Sequence, residues 1–177
     1  MKIICFGDSN TWGYDPRGYF GSRYDNPWPA LLAEKLQCDI ANHGENGREI
    51  PIKNVVFPAD MDHLIIMLGT NDLLQGATAE ATCSKMAEFL KELAVERRKI
   101  ILIAPPPMNV GEWVIHQRQI EDSRMLAEYY QRLAKRVGIH YSDAGQWNIT
   151  MAFDGVHFTE AGHRAFAEGV YKELIGW

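Results

Sequence analysis

Short apolar runs alternate along this 177-residue chain with longer segments in which apolar residues return every three or four positions. Three of the short runs are rich in β-branched residues and end at Gly or Pro, a pattern typical of buried parallel strands. The alternation predicts five strands, at residues 2–6, 39–42, 63–68, 99–104 and 139–142.

The longer segments predict four helices. In one of them Met86, Phe89 and Leu93 recur at helical spacing, and basic residues end the segment, as suits the negative end of a helix dipole. Another opens at Thr159, whose hydroxyl can cap a helix N-terminus. The predicted helices cover residues 29–36, 79–98, 116–137 and 159–175.

Strands that alternate with helices favour a doubly wound parallel sheet. The predicted fold class is α/β, a three-layer α/β/α sandwich with a five-stranded parallel sheet in the flavodoxin-like order 2-1-3-4-5. Pro51 and Pro58 leave little room for a long helix in residues 47–62, which cross from the second strand to the third. No repeat or linker divides the sequence, so residues 1–177 are predicted to form one domain.

A residue suited to chemistry follows most of the predicted strands. Ser9 follows the first strand, Gly44 the second and Asn71 the third. Asp154 and His157 lie beyond the fifth strand. In a doubly wound sheet these positions meet at the carboxyl edge, where open α/β sheets bind their ligands. The sequence therefore predicts one site built from distant segments.

These residue types suit acyl transfer by a serine. A serine hydroxyl attacks a carbonyl when a base removes its proton, and His157 is the candidate base. Asp154 can hold the imidazole tautomer and stabilise the imidazolium. The backbone N–H groups of Ser9 and Gly44 and the side-chain amide of Asn71 could stabilise the tetrahedral oxyanion.

The sequences around these residues resemble the SGNH (GDSL-type) hydrolase family. Ser, Gly, Asn and His occur in that order in FGDSNTWG, ANHGENG, LGTNDLL and DGVH. With IAPPP, the first and third motifs look most like the arylesterase and acyltransferase branch. The resemblance implies Ser9 as nucleophile, Asp154 and His157 as the rest of the triad, and Ser9, Gly44 and Asn71 as the oxyanion hole.

Five neighbouring positions refine this assignment. Asn42 before Gly44 fits the N-x-G pattern of the family and favours Gly44, although Gly47 lies nearby and either glycine could simply permit a positive φ. Asn10 replaces the last residue of GDSL, a substitution that leaves the nucleophile intact. Asp8 and Asp72 are predicted to accept hydrogen bonds from backbone amides of the loops that hold Ser9 and Asn71. The residues concerned are Asp8, Asn10, Asn42, Gly47 and Asp72.

The resemblance indicates a serine esterase that cleaves acetyl or other short-chain esters through an acyl-enzyme, with acyl transfer to alcohols as a further outcome. Carbohydrate O-deacetylation and thioesterase or lysophospholipase activity are alternatives within the family. A metal-dependent phosphoesterase needs a GNH-type motif and several ligands that the sequence lacks. A flavodoxin-like nucleotide-binding module is the non-enzymatic alternative, weakened by the Asp8 carboxylate and by the lack of a glycine-rich cradle.

Aromatic residues crowd the segment after Ser9, where they could wall a substrate pocket or simply pack beneath a long loop. Met108, Val110 and Trp113 follow the proline run and could line the opposite side. Substrate contacts are predicted for Trp12, Tyr14, Met108 and Trp113; the other aromatic residues of the first segment are Tyr19, Phe20, Tyr24 and Trp28.

Composition narrows the partners and the compartment. The formal net charge of −5 argues against nucleic acid or an anionic membrane, and a small-molecule ester is the expected partner, with a homo-oligomer left open. No apolar run has membrane-spanning length and the first residues lack the regions of a signal peptide, so a cytoplasmic location is expected. No metal or other cofactor is expected. Cys5, Cys38 and Cys83 are predicted to be buried free thiols.

Overall fold

A computed structural model describes residues 1–18 and 22–176 of the protein. Within these residues one sheet contains five strands, β1 (Lys2–Gly7), β2 (Asp39–Gly44), β3 (His63–Met67), β4 (Ile100–Ala104) and β5 (His140–Asp143). All neighbouring strands are parallel, and their order is β2-β1-β3-β4-β5, which confirms the predicted topology.

The described residues form six α-helices, α1 (Ser9–Trp12), α2 (Trp28–Leu36), α3 (Thr70–Leu74), α4 (Ala79–Glu92), α5 (Gln117–Val137) and α6 (Glu160–Ile175). The four long helices agree with the prediction except at one end of α4. The short helices α1 and α3 are additional, and each begins two or three residues after the end of the preceding strand. Both therefore lie at the carboxyl edge of the sheet.

Two apolar clusters lie on opposite faces of the sheet, because its central strands are buried on both sides. Ile4 and Phe6 of β1 belong to the cluster covered by α4 and α5. Ile3 and Cys5, the alternate residues of the same strand, belong to the cluster covered by α2 and α6. This arrangement is the predicted three-layer sandwich.

Helix α4 ends six residues earlier than its predicted end at residue 98. Leu93 has an extended backbone (φ −72°, ψ 122°) and still buries its side chain in the core. Arg97 then starts a short 3-10 turn, and its Nη1 donates to the carbonyl oxygen of Leu90 at 2.6 Å. The apolar side chain of Leu93 fitted the helical spacing, but it reaches the core from outside the helix.

The register of the sheet brings three loops together. Gly7, the last residue of β1, pairs with Gly44 on one side and with Met67 on the other. The segments that follow β1, β2 and β3 therefore start side by side. Residues 47–62, all described, contain no helix or strand, in agreement with the expectation from their prolines.

Two predictions about the chain as a whole can also be compared with the structure. None of the described helices is long and apolar enough to cross a lipid bilayer. The three cysteines, all in the described part of the chain, are free thiols; Cys5 and Cys83 are buried, whereas Cys38 is only half-buried.

Candidate active site

Ser9 lies at the start of α1, directly after the end of β1. The Asp8 side chain caps this helix, because its Oδ1 accepts a hydrogen bond from the backbone N–H of Asn10 at 3.0 Å. Asp8 thus performs the structural role predicted for it. Ser9 itself is only 6% exposed, and it lines a cleft at the sheet edge.

His157 and Asp154 meet Ser9 from the segment before α6. His157 Nε2 lies 2.9 Å from Ser9 Oγ, and His157 Nδ1 lies 2.6 Å from Asp154 Oδ2. The other carboxylate oxygen of Asp154 accepts the backbone N–H groups of Val156 and His157, both at 2.9 Å. The three side chains predicted as a triad are therefore joined by hydrogen bonds in the order Ser, His, Asp.

The electrostatics of this chain favour an ionised Asp154. Burial opposes its ionisation, but the hydrogen bonds from the His157 ring and from the two backbone N–H groups outweigh burial and keep the pKa of Asp154 below its usual value. An ionised carboxylate can only accept a hydrogen bond, so a neutral His157 imidazole must carry its proton on Nδ1, the nitrogen that faces Asp154. Nε2 is then free to accept the proton of Ser9 Oγ–H.

Asn71 lies across the cleft from His157, in α3. Its Nδ2 donates to the carbonyl oxygen of Arg48 at 3.1 Å, and it lines the same cleft as Ser9. Because a side-chain amide has two N–H groups, this bond leaves one N–H of Asn71 for a ligand. Asp72, the next residue, has a structural role as predicted, but the backbone N–H that it accepts, at 3.0 Å, belongs to Ile50 in the segment after β2 and not to the loop of Asn71.

Gly44 is not available for the role predicted for it. Its backbone N–H donates to Oδ1 of Asn42 at 2.8 Å. A Cβ atom at Gly44 would lie 2.1 Å from the backbone nitrogen of Trp12, so this glycine is required by the close packing of β2 against α1. The prediction of Gly44 as an oxyanion donor is therefore wrong, because its N–H already has a partner.

Gly47 takes the place of Gly44 in the cleft, which it lines together with Ser9 and Asn71. It has a φ of +74° in a turn closed by a hydrogen bond from Arg48 N–H to the Glu45 carbonyl at 3.2 Å. No atom lies within 4 Å of a Cβ built at Gly47, so the backbone conformation, not crowding, requires glycine. The Asn46-Gly47 pair is a turn signal that could have identified this position.

Arg48 holds this turn against the ends of two strands. Its Nη1 donates to the carbonyl oxygen of Gly7 at 2.9 Å and also to that of His43. The guanidinium lies 4.3 Å above the centre of the Phe6 ring, a cation–π distance. Together with the bond from Asn71, these contacts fix the segment that carries Gly47. Arg48 was not among the residues predicted from the sequence.

Two aromatic side chains form the walls of the cleft beside His157. The ring centre of Tyr14 lies 4.5 Å from that of His157, and the ring centre of Trp113 lies 4.9 Å from it. The backbone N–H of Trp113 donates to the carbonyl oxygen of Asp154 at 3.1 Å, so the loop that carries Trp113 is joined to the loop that carries Asp154 and His157. The cleft has a volume of about 260 Å³ and is lined by Ser9, Tyr14, Asn46, Gly47, Asn71, Trp113 and His157.

The other predicted substrate contacts have different locations. Trp12 is absent from the lining of the cleft as far as the described residues show, and its ring lies 5.2 Å from the guanidinium of Arg23. Met108 is 1% exposed in the core, where packing rather than substrate explains it. Trp28 is likewise a core residue, and Tyr24 packs on His163. Tyr19 and Phe20 lie outside the described residues.

Two further titratable groups close to the site are buried. Burial raises the pKa of Asp8 to about 6. The hydrogen bond from the backbone N–H of Asn10 and the nearby His157 both lower this pKa, but burial has the larger effect. Burial lowers the pKa of His163 to about 3, so this imidazole is neutral at neutral pH. In residues 1–18 and 22–176, no group of three or more His, Cys, Asp or Glu side chains is arranged to hold a metal ion.

The chain is similar to a family of known proteins. The family model described as the GDSL-like lipase/acylhydrolase family matches residues 5–165. A mouse (Mus musculus) protein named isoamyl acetate-hydrolyzing esterase 1 homolog is 27% identical over 133 residues, which are 63% of this chain and 50% of that protein. The chain thus spans about half the length of the curated relatives it matches.

Solved structures resemble the chain over nearly its whole length. The native aryl esterase of M. smegmatis is 26% identical, with a TM-score of 0.84 over 99% of this chain and 98% of that one. A carbohydrate acetylesterase family member from Sinorhizobium meliloti is 24% identical, with a TM-score of 0.82 over 98% of this chain and 96% of that one. At this identity the second likeness concerns the fold alone.

Proposed function

The chain belongs to the GDSL-like lipase/acylhydrolase family, and from that premise we propose that it is a serine esterase that cleaves small carboxylic esters through an acyl-enzyme. The observation that carries the proposal is the hydrogen-bonded chain from Ser9 Oγ through His157 to Asp154. A hydroxyl 2.9 Å from an imidazole nitrogen is within the range needed for general-base activation.

Acylation begins with the loss of the Ser9 proton to His157 Nε2. Ser9 Oγ then bonds to the carbonyl carbon of the ester, and the carbonyl oxygen takes the negative charge. The donors proposed for this oxyanion are the N–H groups of Ser9 and Gly47 and the free N–H of Asn71. The imidazolium of His157 is stabilised by Asp154 while it holds the proton.

The intermediate collapses when the bond between carbonyl carbon and alcohol oxygen breaks. The leaving oxygen takes the proton from His157 Nε2, and the acyl group remains on Ser9 Oγ. A water molecule then gives a proton to His157 and attacks the acyl carbon, after which Ser9 recovers its proton. If an alcohol takes the place of the water, the same steps transfer the acyl group, and hydrolysis and transfer share one intermediate.

The size and walls of the cleft support small esters as substrates. The cleft volume of about 260 Å³ lies below the range of about 300–1,000 Å³ that is usual for pockets that bind drug-sized ligands. A cleft of this size suits a short acyl group together with part of the alcohol. Because His157 returns its proton to the leaving oxygen, the alcohol lies beside the rings of Tyr14 and Trp113. Both rings offer apolar contact there.

The experiment that tests the proposal is hydrolysis of 4-nitrophenyl esters of increasing acyl length. Wild-type protein should hydrolyse the acetate and lose kcat/KM as the acyl chain lengthens, and Ser9→Ala should abolish turnover while the circular dichroism spectrum stays unchanged. Ser84→Ala, in the exposed face of α4, is the matched control and should keep wild-type activity. A Ser9→Ala variant with wild-type activity would refute the proposal.

A further inference from the structure

Asn10, the residue after Ser9, holds the backbone on both sides of His157. Its Nδ2 donates to the carbonyl oxygen of Val156 at 3.0 Å, and its Oδ1 accepts the backbone N–H of Phe158 at 2.9 Å. The side chain is 3% exposed, and both bonds are buried. Two bonds from one amide therefore bracket the residue that carries the imidazole.

We propose that Asn10 is a positioning residue that holds His157 in line with Ser9. The inference rests on the proposed function, because it concerns the proton transfer between these two side chains. Ser9 and Asn10 are consecutive in the first turn of α1, whereas His157 is 148 residues from Ser9 in sequence. Asn10 thus connects the element that carries the nucleophile directly to the backbone of the base.

The loop around His157 needs such a connection because regular structure does not hold it. Residues 153–157, all described, lie in turns and bends between β5 and α6. The carboxylate of Asp154 orients the imidazole ring, but it belongs to the same loop and moves with it. The backbone N–H groups of Asn109 and Trp113 hold the first part of this loop from outside, through the carbonyl oxygens of Gly155 and Asp154. Asn10 holds the part that follows, on both sides of His157. A displacement of about 1 Å at a reacting group can cost about a hundredfold in rate.

The chemistry of this position requires an amide. The Val156 carbonyl needs a donor and the Phe158 N–H needs an acceptor, and a side-chain amide provides both. Leucine, which occupies this position in the GDSL motif, can provide neither. The two bonds that bracket His157 in this chain therefore depend on the amide of Asn10.

Asn42 offers a matched control, since its side chain also makes one donor and one acceptor bond to the backbone. Its Nδ2 donates to the carbonyl oxygen of Thr11 at 2.8 Å, and its Oδ1 accepts the N–H of Gly44 at 2.8 Å. Neither bond involves the loop of His157. Substitution of Asn42 removes the same kinds of bond and leaves His157 in place.

The test compares Asn10→Ala and Asn42→Ala in hydrolysis of 4-nitrophenyl acetate. Asn10→Ala should lower kcat at least about tenfold with KM within about twofold of wild type, because base placement and not ground-state binding is lost. The rate constant for labelling of Ser9 by a fluorophosphonate should fall by a similar factor. Asn42→Ala should keep kcat within about threefold of wild type, even if its melting temperature falls as far as that of Asn10→Ala.

A double-mutant cycle separates a role through His157 from a general structural role. In a His157→Ala background, Asn10→Ala should lower the residual rate less than about twofold, because the group that it positions is gone. If Asn10→Ala does not fold, Asn10→Leu, which has a similar volume, carries the same comparison.

Two results would overturn the inference: a kcat within about threefold of wild type for the folded Asn10 variant, or an equal loss in the presence and absence of His157. Wild-type and Ser9→Ala protein are measured in the same assay. If wild type hydrolyses the ester and Ser9→Ala does not, a normal Asn10 variant refutes the inference alone. If wild type neither turns over nor labels, the proposed function fails first.

Discussion

Lys85 Nζ lies 2.6 Å from Oδ1 of Asp72, a carboxylate that is 2% exposed. The other oxygen of Asp72 accepts the backbone N–H of Ile50 at 3.0 Å. Lys85 belongs to α4, and Asp72 follows Asn71 in α3. The ion pair therefore fixes the loop of Asn71 to the long helix behind it and, through Ile50, to the segment that carries Gly47.

Removal of this charge should destabilise the protein. Lys85→Met leaves the buried Asp72 carboxylate without its cation, and we expect the free energy of unfolding to fall by about 2 kcal/mol, less than for a fully buried pair because Lys85 is partly exposed. Urea denaturation measures the change. Lys91→Met on the same helix is the control, since its ion pair with Glu88 is exposed and should contribute less than about 0.5 kcal/mol. Equal effects of both substitutions would exclude a special role for Lys85.

Asn71→Ala should lower kcat at least about tenfold, because one of the proposed oxyanion donors is lost. KM should change less than about threefold, since the oxyanion forms only in the transition state. Steady-state hydrolysis of 4-nitrophenyl acetate measures both constants. A variant with reduced substrate binding and normal kcat would place Asn71 in ground-state recognition instead.

Backbone esters can distinguish Gly47 from Gly44. Glycolic acid at residue 47 replaces the N–H with an ester oxygen, and kcat should fall at least about tenfold because an oxyanion donor is lost. The same replacement at residue 44 removes the hydrogen bond to Asn42 and should act mainly on stability. Thermal melts and steady-state kinetics of both proteins make the comparison. A larger loss of kcat at residue 44 would restore the original assignment.

The pKa of Asp8 predicts a pH dependence of stability. In the folded protein this pKa is raised from 3.8 to about 6, so between about pH 4 and pH 6 the folded state binds a proton that the unfolded state has lost. Stability from this group is therefore complete below pH 4 and declines as the pH rises to 6. A shift of about 2 pKa units corresponds to at most about 3 kcal/mol.

Urea denaturation from pH 4 to pH 7 tests this contribution. Asp8→Asn cannot ionise, so the free energy of unfolding of wild type minus that of the variant should decrease over this range. Asp15→Asn is the control, because Arg17 lowers the pKa of Asp15 and moves its titration below pH 4. The difference between wild type and Asp15→Asn should rise slightly between about pH 4 and pH 5, where the unfolded-state carboxyl still titrates, and stay constant from about pH 5 to pH 7. A constant difference for Asp8→Asn as well would contradict the raised pKa.

The sheet and its order could be predicted from sequence because buried parallel strands leave a strong apolar signal. Helices α1 and α3 were missed because four or five residues show no helical period. The predicted end of α4 was wrong because Leu93 is buried although its backbone is extended. A buried apolar residue at helical spacing does not by itself show whether the backbone is helical or extended. Periodicity thus identified the long elements and not the short ones at the sheet edge.

The proximity of Ser9 and His157 could be predicted from sequence, because their side-chain chemistry marks them as partners and both follow strands of one sheet. The site was not predictable where a residue's role depends on the direction of a backbone N–H. Gly44 and Gly47 are both glycines at or just after the end of β2, and they are distinguished by the bond from Gly44 to Asn42, by the packing of Gly44 on Trp12 and by the place of Gly47 in the cleft. Trp12 and Met108 were misassigned for a different reason: an aromatic or apolar side chain suits a pocket wall and a packed interior equally well.

The most direct test of the account is covalent labelling by a fluorophosphonate, with the modified peptide identified by mass spectrometry. If Ser9 is the nucleophile, we expect one label per chain, on the peptide that contains Ser9, and a loss of esterase activity in proportion to labelling. If His157 is its base, His157→Ala should be labelled much more slowly. An active esterase that is labelled at another residue, or that stays fully active with Ser9 modified, would contradict it.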